Sequence, residues 1–292
     1  MFPFGARLTP PSRLPCPIPP FPGETTKSYL YRLAVANQLQ PDDLRAHLTG
    51  TRHHAPITLN GLAATTGRSP HCLSHALPEL RPGTAPGADP ALPAHIRRTI
   101  CRRCAARRGA FRFATTWQPA EINICPAHLI WLGPPVRARS GIQYDVGDLP
   151  EIIHAQRRHY RLARRHGRQT VADAFTEAAH ITALWARRGS HLDRRKPLIE
   201  AFLGHPPLTG RLPSGDPITP VVTYPETVDL ARVLVQPRWR HPMGPATKRE
   251  VRAFRREINQ HLGIRYNPQD SRYDPLFHWF TRRHDQRTAA TT

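Results

Sequence analysis

The chain has 292 residues, with 42 Lys+Arg against 21 Asp+Glu, a formal net charge of +21 with His neutral. A surplus of that size favours a polyanionic partner, nucleic acid first. Its apolar content of 39% suits two or three ordinary domains, with no stretch of membrane-spanning length and no signal-peptide core at the start. Five cysteines do not form a disulfide framework, so a reducing, cytoplasmic setting is expected.

In chain order, residues 1–23 form a proline-rich arm that closes Pro15-Cys16-Pro17-Ile18-Pro19-Pro20-Phe21-Pro22-Gly23. Proline fixes φ and removes donors, which predicts an extended strap. A helix is expected from near Glu24, whose carboxylate suits a helix N-terminus. Tyr29, Leu30, Leu33, Ala34 and Ala36 fall at helical spacing, and Asn37 and Pro41 mark the end. A short helix over 41–48 follows.

Residues 57–80 read as two helices joined at Gly67, with Ser69 as cap and Pro70 at the first helical position. Leu59, Leu62, Ala63, Leu73, Ala76 and Leu77 would face inward. Arg68, His71, Ser74 and His75 would then face out, as on the recognition helix of a helix-turn-helix. A plain helical hairpin uses the same spacing, and both readings stay open. Residues 81–93 read as a linker. Later helices are expected over 149–166, 170–188, 226–235 and 247–262, with a Pro/Gly-rich break over 204–220 and a frayed tail from 288.

Between linker and break lies the most specific pattern. Cys101-x2-Cys104, a twenty-residue gap, then Cys125-x2-His128 is the sequence form of one structural zinc site. Three thiolates and one imidazole complete a tetrahedron and leave no position for reactive water. The stretch 111–117 is long enough to run out and return as a small hairpin.

The charge is uneven. Residues 1–96 carry 8 Lys+Arg and 5 Asp+Glu, and the remainder carries 34 and 16. Arg97, Arg98, Arg102, Arg103, Arg107, Arg108 and Arg112 follow one another without an acid between them. Arg157, Arg161 and Arg165 recur at i, i+4, i+8 on one helix face, with Arg158, Arg164 and Arg168 beside them. Like charges so placed repel, which favours neutralisation by phosphate. The only lysines are Lys27, Lys196 and Lys248, and arginine is the better bidentate phosphate ligand.

The order Pro22-Gly23-Glu24, then Ser28-Tyr29-Leu30, Arg32-Leu33-Ala34 and Asn37, followed by Cys101, Cys104, Cys125-Pro126 and His128 with Trp117 between, resembles the TniQ family. The resemblance covers about residues 15–133. Thr25 stands where relatives have serine, and no second cysteine pair follows His128. The resemblance implies a target-selection adaptor for cut-and-paste transposons that binds double-stranded DNA or a targeting complex. It further implies recruitment of the transposon ATPase regulator and transposase, without cutting strands itself. A second copy of the chain is a further candidate partner, and no membrane is expected.

The expected fold is mainly α, with helix-turn-helix-type helical domains flanking a small zinc-ribbon-like module with a short β hairpin. Its segments are the arm (1–23), an N-terminal helical domain (24–92), the zinc-binding module (93–136) and a basic C-terminal helical region (137–292). Rival readings are a zinc-ribbon or helix-turn-helix transcription regulator, a zinc-dependent nucleic-acid enzyme, and a scaffold that binds an acidic protein. The enzyme reading is weakened because no H-x-E precedes a P-C-x2-C. No G-x4-G-K-[ST] loop marks the chain as the ATPase.

Overall fold

The computed structural model describes residues 12–50, 55–84, 92, 94–110, 114–134, 143–204, 212, 216–242, 246–266 and 274–288. These divide into two compact units: residues 12–119 with Gln143, and residues 120–134 with those from 144 onward. Among the described residues, no helix is long and apolar enough to cross a membrane.

The first unit begins with α1 (Thr26–Ala36), capped by the Thr25 hydroxyl, which accepts from the Ser28 amide. Helix α2 (Pro41–Thr49) follows, then α3 (Leu59–Thr66) and α4 (Pro70–Ala76). Gly67 ends α3 at φ +66, and the Ser69 hydroxyl accepts from the Cys72 amide to start α4. The expected caps are therefore the observed ones. Leu62, Leu73 and Leu77 join Tyr29, Leu33 and Leu44 in one core and are fully buried. Each fully buried apolar side chain stabilises by roughly 1.5–3 kcal/mol. Leu59 and Ala63 pack partly buried at its edge.

A two-stranded antiparallel sheet follows a short 3-10 turn at Pro78–Leu80. Strand β1 (His95–Thr99) pairs with β2 (Thr115–Pro119), Arg97 standing opposite Trp117. This corrects the expected hairpin. The first strand lies before Cys101, not within the 111–117 stretch, and the short helix α5 (Arg102–Ala106) fills the connection. Residues 111–113 lie outside the described residues, as do most of the linker and of the 204–220 break.

The second unit is helical: α6 (Pro150–His166), α7 (Arg168–Arg188), α8 (Leu192–Leu203), α9 (Thr219–Val222), α10 (Tyr224–Leu234), α11 (Pro237–Arg240), α12 (Lys248–Leu262) and α13 (Pro275–Thr288). Helix α10 packs against α6, α7 and α12. Its buried residues lie on nearly every side, from Tyr224 and Glu226 to Leu234. Thr182 on α7 and Thr227 on α10 share a hydroxyl hydrogen bond of 2.8 Å at their contact. The same core continues between α11, α12 and α13, where the Phe254 ring lies 5.1 Å from Trp239 and 4.6 Å from Phe280.

Helices α8, α9, α11 and α13 lie outside the expected helical ranges. Pro197 stands inside α8 and argues locally against a helix. Helix α13 opens at Asp274-Pro275, where the Asp274 carboxylate accepts from the Leu276 amide at 2.7 Å. That is an N-cap with proline at the first position.

His191 holds a left-handed conformation at φ +56 and packs its ring edge-on to Trp185. Burial, then Arg195 and Arg194, push its pKa down to about 4. Between that value and the ordinary 6.5 the unfolded chain binds a proton that the native chain refuses, so stability falls as pH drops through this window. Burial also lowers His166 and His261. His191→Asn, neutral and tolerant of positive φ, should flatten part of this loss. Unfolding temperatures at pH 7 and pH 5 measure it: the variant should lose several degrees less than the parent between the two.

Candidate metal centre and basic faces

Cys101, Cys104, Cys125 and His128 come together in space. Their ligand atoms all lie within 4.8 Å of one another, with Cys101 and Cys125 buried and Cys104 and His128 half-buried. Cys125 Sγ and His128 Nδ1 are 3.7 Å apart. A tetrahedral ion with bonds of about 2.3 Å to sulfur and about 2.0 Å to nitrogen sets such a pair roughly 3.5 Å apart, so the donor set fits.

Local backbone aims each pair. Cys101 sits at the N-cap of α5, its carbonyl accepting from the Ala105 amide at 2.9 Å. In the second pair the Cys125 carbonyl accepts from the Leu129 amide at 2.9 Å, and the Cys125 amide donates to Ile130 at 2.8 Å. Leu129 closes this turn at φ +50, a conformation costing about 1–2 kcal/mol in a non-glycine residue.

Each pair is braced by one glutamine. Gln143 Oε1 accepts from the Arg102 amide at 2.9 Å, and its Nε2 donates to the Ile100 carbonyl at 3.0 Å, so it holds the chain on both sides of Cys101. Gln156 on α6 does the same ahead of Cys125. Its Oε1 accepts from the Asn123 amide at 3.0 Å, and its Nε2 donates to the Glu121 carbonyl at 2.6 Å. Both glutamines are buried.

The polar residues of the N-terminal motif are spent inside the first unit. Glu24 is fully buried and accepts from Arg32 Nε at 2.8 Å and Nη2 at 2.6 Å, from the Ser28 hydroxyl at 2.8 Å and from the Phe21 amide at 2.9 Å. The expectation that its carboxylate serves the α1 N-terminus is therefore corrected: Thr25 caps, and Glu24 neutralises Arg32. Arg32 also donates to the Pro19 carbonyl, Tyr29 Oη to Ile18, and the Asn37 amide grips both the N–H and C=O of Cys16. Burial raises the Tyr29 pKa to about 12, so the phenol remains a donor. Gly23, at φ +72, lies so close to the sheet that a Cβ would meet the Trp117 carbonyl oxygen at 2.8 Å. The motif thus fastens the proline-rich strap along α1 and onto β2.

The outward residues of α3–α4 fall as follows. His71 and His75 are exposed, while Ser74 is half-buried and its hydroxyl donates to the His71 carbonyl. Arg68 is half-buried. Of the basic run, Arg97, Arg102, Arg103, Arg107 and Arg108 are exposed. Arg97 lies over Trp117 and Arg108 over Phe21, at 5.5 and 5.6 Å from the ring centroids. Arg98 departs from the rest: at 5% exposure its side chain is turned inward and cannot meet a phosphate. Arg112 lies outside the described residues.

On α6, Arg157, Arg161 and Arg165 are exposed together with Arg164. Arg158 instead pairs with Asp229 at 3.0 Å, and Arg168 with Glu121 at 2.9 Å. A third basic face was not anticipated. Lys248, Arg249, Arg252, Arg255 and Arg256 are all exposed on α12. The signal was present in Lys-Arg-Glu-Val-Arg-Ala-Phe-Arg-Arg, whose charges recur at helical period. Gln143 and Gln156 carried no such signal, since a glutamine far from the cysteines looks like any other.

A mainly helical chain with a Cys3His cluster that could hold a metal ion and a strapped N-terminal helical unit is the class these features define. Residues 15–132 match the TniQ family. Comparison with curated proteins and with solved structures gives no match.

Two outcomes follow from this geometry. Gln156→Ala should weaken metal affinity about ten-fold or more, whereas Cys125→Ser should abolish stoichiometric binding, both read by competition with a chromogenic chelator. Glu24→Gln leaves the Arg32 charge buried without a counter-ion and should destabilise the protein by about 3–5 kcal/mol in denaturant unfolding.

Proposed function

We propose that this protein is a zinc-containing DNA-binding adaptor for target-site selection in DNA transposition. It recruits the transposon ATPase and transposase and does not itself cut DNA. The observation that carries this reading is the TniQ match over residues 15–132, which spans the strapped helices and all four metal ligands. The zinc is structural: four protein donors fill a tetrahedron, and the ion fixes the backbone that presents Arg102, Arg103, Arg107 and Arg108. Zinc suits these soft thiolates better than a hard oxygen-seeking cation would.

Phosphate contact is assigned to the exposed arginines, Arg97, Arg102, Arg103, Arg107 and Arg108 near the metal and Arg157, Arg161 and Arg165 on α6. The α3–α4 pair serves as a helix-turn-helix whose His71, Ser74 and His75 read base edges, with Arg68 at its start. Partner recruitment has its own support on α1, where Tyr31 and Val35 stand one turn apart and are 41% and 40% exposed. Apolar side chains so placed suit a protein partner better than a phosphate. The setting is the cytoplasm, where thiols stay reduced and free to bind metal.

Replacing Arg157, Arg161 and Arg165 together with glutamine should weaken duplex binding about ten-fold or more. The slope of log affinity against log salt should fall by roughly 2–3, one unit or slightly less per lost phosphate contact. Fluorescence anisotropy across a salt series reads both, and an unchanged slope would show that these residues meet only solvent. Changing His71 and His75 to alanine should alter sequence preference more than overall affinity. Loss of a transposition partner with DNA binding intact would instead assign that helix to a protein interface.

A further inference from the structure

We infer that α12 is a further duplex-DNA surface, one that tracks the phosphate backbone through Lys248, Arg249, Arg252, Arg255 and Arg256. The inference rests on the DNA-binding reading above and adds to it a surface in the part of the chain beyond the TniQ match.

At 100° per residue, these five cations occupy an arc of roughly 120° on one side of the helix. Phe254, Ile258 and Leu262 face the core. The two acids of α12 lie on the far side of the arc and are already engaged. Glu250 closes a capping box with Thr247, and Glu257 accepts from Arg238 and from the Trp239 indole. The arc itself therefore contains no carboxylate. Lys248, Arg252 and Arg256 follow one another at i, i+4, i+8, a like-charge ladder that weakens a free helix. Among the described residues, α12 is held by its apolar face and by the Glu257 bonds to Arg238 and Trp239, none of which uses these cations. A polyanion laid along the face relieves that repulsion.

Shape and composition select duplex DNA among polyanions. An open depression of about 660 Å3 runs beside the helix, lined among the described residues by these five cations and Asn259. From Lys248 to Arg256 the helix rises about 12 Å at 1.5 Å per residue. That is close to the ~12 Å width of the major groove of B-form DNA, so its two ends can meet phosphates on opposite strands. Single-stranded nucleic acid is held by stacking on exposed aromatic rings, and the one aromatic residue of α12, Phe254, is buried.

The test uses the full chain with Arg252, Arg255 and Arg256 replaced together by glutamine. All three are exposed, so the unfolding temperature should be unchanged, which verifies the fold. Anisotropy is read on a 30-base-pair duplex, on a single strand of equal length and on a poly-glutamate peptide. The expected result is at least ten-fold weaker duplex binding, a salt slope reduced by roughly 2–3, and little change on the other two probes. Duplex affinity and slope equal to the parent's would overturn the α12 assignment while leaving the wider DNA reading intact. A loss confined to the single strand or the peptide would also overturn it and give the face to that other partner. A parent protein that binds no duplex at all would remove both readings together.

Discussion

The buried Glu24–Arg32 pair is the contact on which the N-terminal unit depends, and it illustrates the constraint on the whole chain. Two charges withdrawn from water are tolerable only when their hydrogen bonds are filled, and here both are. Glu24 takes two bonds from Arg32 and one each from Ser28 and Phe21, and Arg32 spends a further proton on Pro19. The Arg32 guanidinium also lies 4.4 Å from the centre of the Phe21 ring. The strap, helix α1 and strand β2 meet around this pair. Nearby, Thr115 donates its amide to the Ser28 hydroxyl, and Trp117 donates its indole N–H to Glu79.

The same economy holds in the second unit, where acids are few and are used to secure arginines. Glu226 holds the buried Arg195 at 2.7 Å, and Asp229 reaches both Arg158 and Arg194. Glu121 pairs with Arg168, and Glu177 with Arg283. These acids are committed to struts inside the unit, and the exposed arginines of α6 and α12 lie on other faces of their helices. Among the described residues, exposed arginines gather on the faces of α6 and α12. That links composition to function: the shortage of acids, more than the abundance of arginine, makes these faces attractive to phosphate.

Much of this was legible in the sequence, for definite physical reasons. The cysteine and histidine spacing, the Gly67–Ser69–Pro70 turn and the helices at 149–166 and 247–262 are encoded by neighbours, so local chemistry reveals them. The hairpin was misplaced because β2 pairs with a strand upstream of Cys101, and strand pairing is not local information. Glu24 was misread because a carboxylate before a helix ordinarily caps it, and only the fold brings Arg32 back onto it. The bracing roles of Gln143 and Gln156 were invisible for the same reason. Arg98 was counted with its neighbours although its place in a short strand turns it inward. The α12 face was readable from period alone, which shows that a charge count along the chain needs the helical angle beside it.

The central claim, that one metal ion organises a DNA-binding adaptor, is tested most directly on a single sample of the full chain. Elemental analysis is followed by duplex binding before and after removal of the metal with a strong chelator. The account predicts one zinc per chain, and duplex affinity that falls on its removal and returns when zinc is restored. Protein purified gently without zinc, or duplex binding indifferent to its removal, would contradict it.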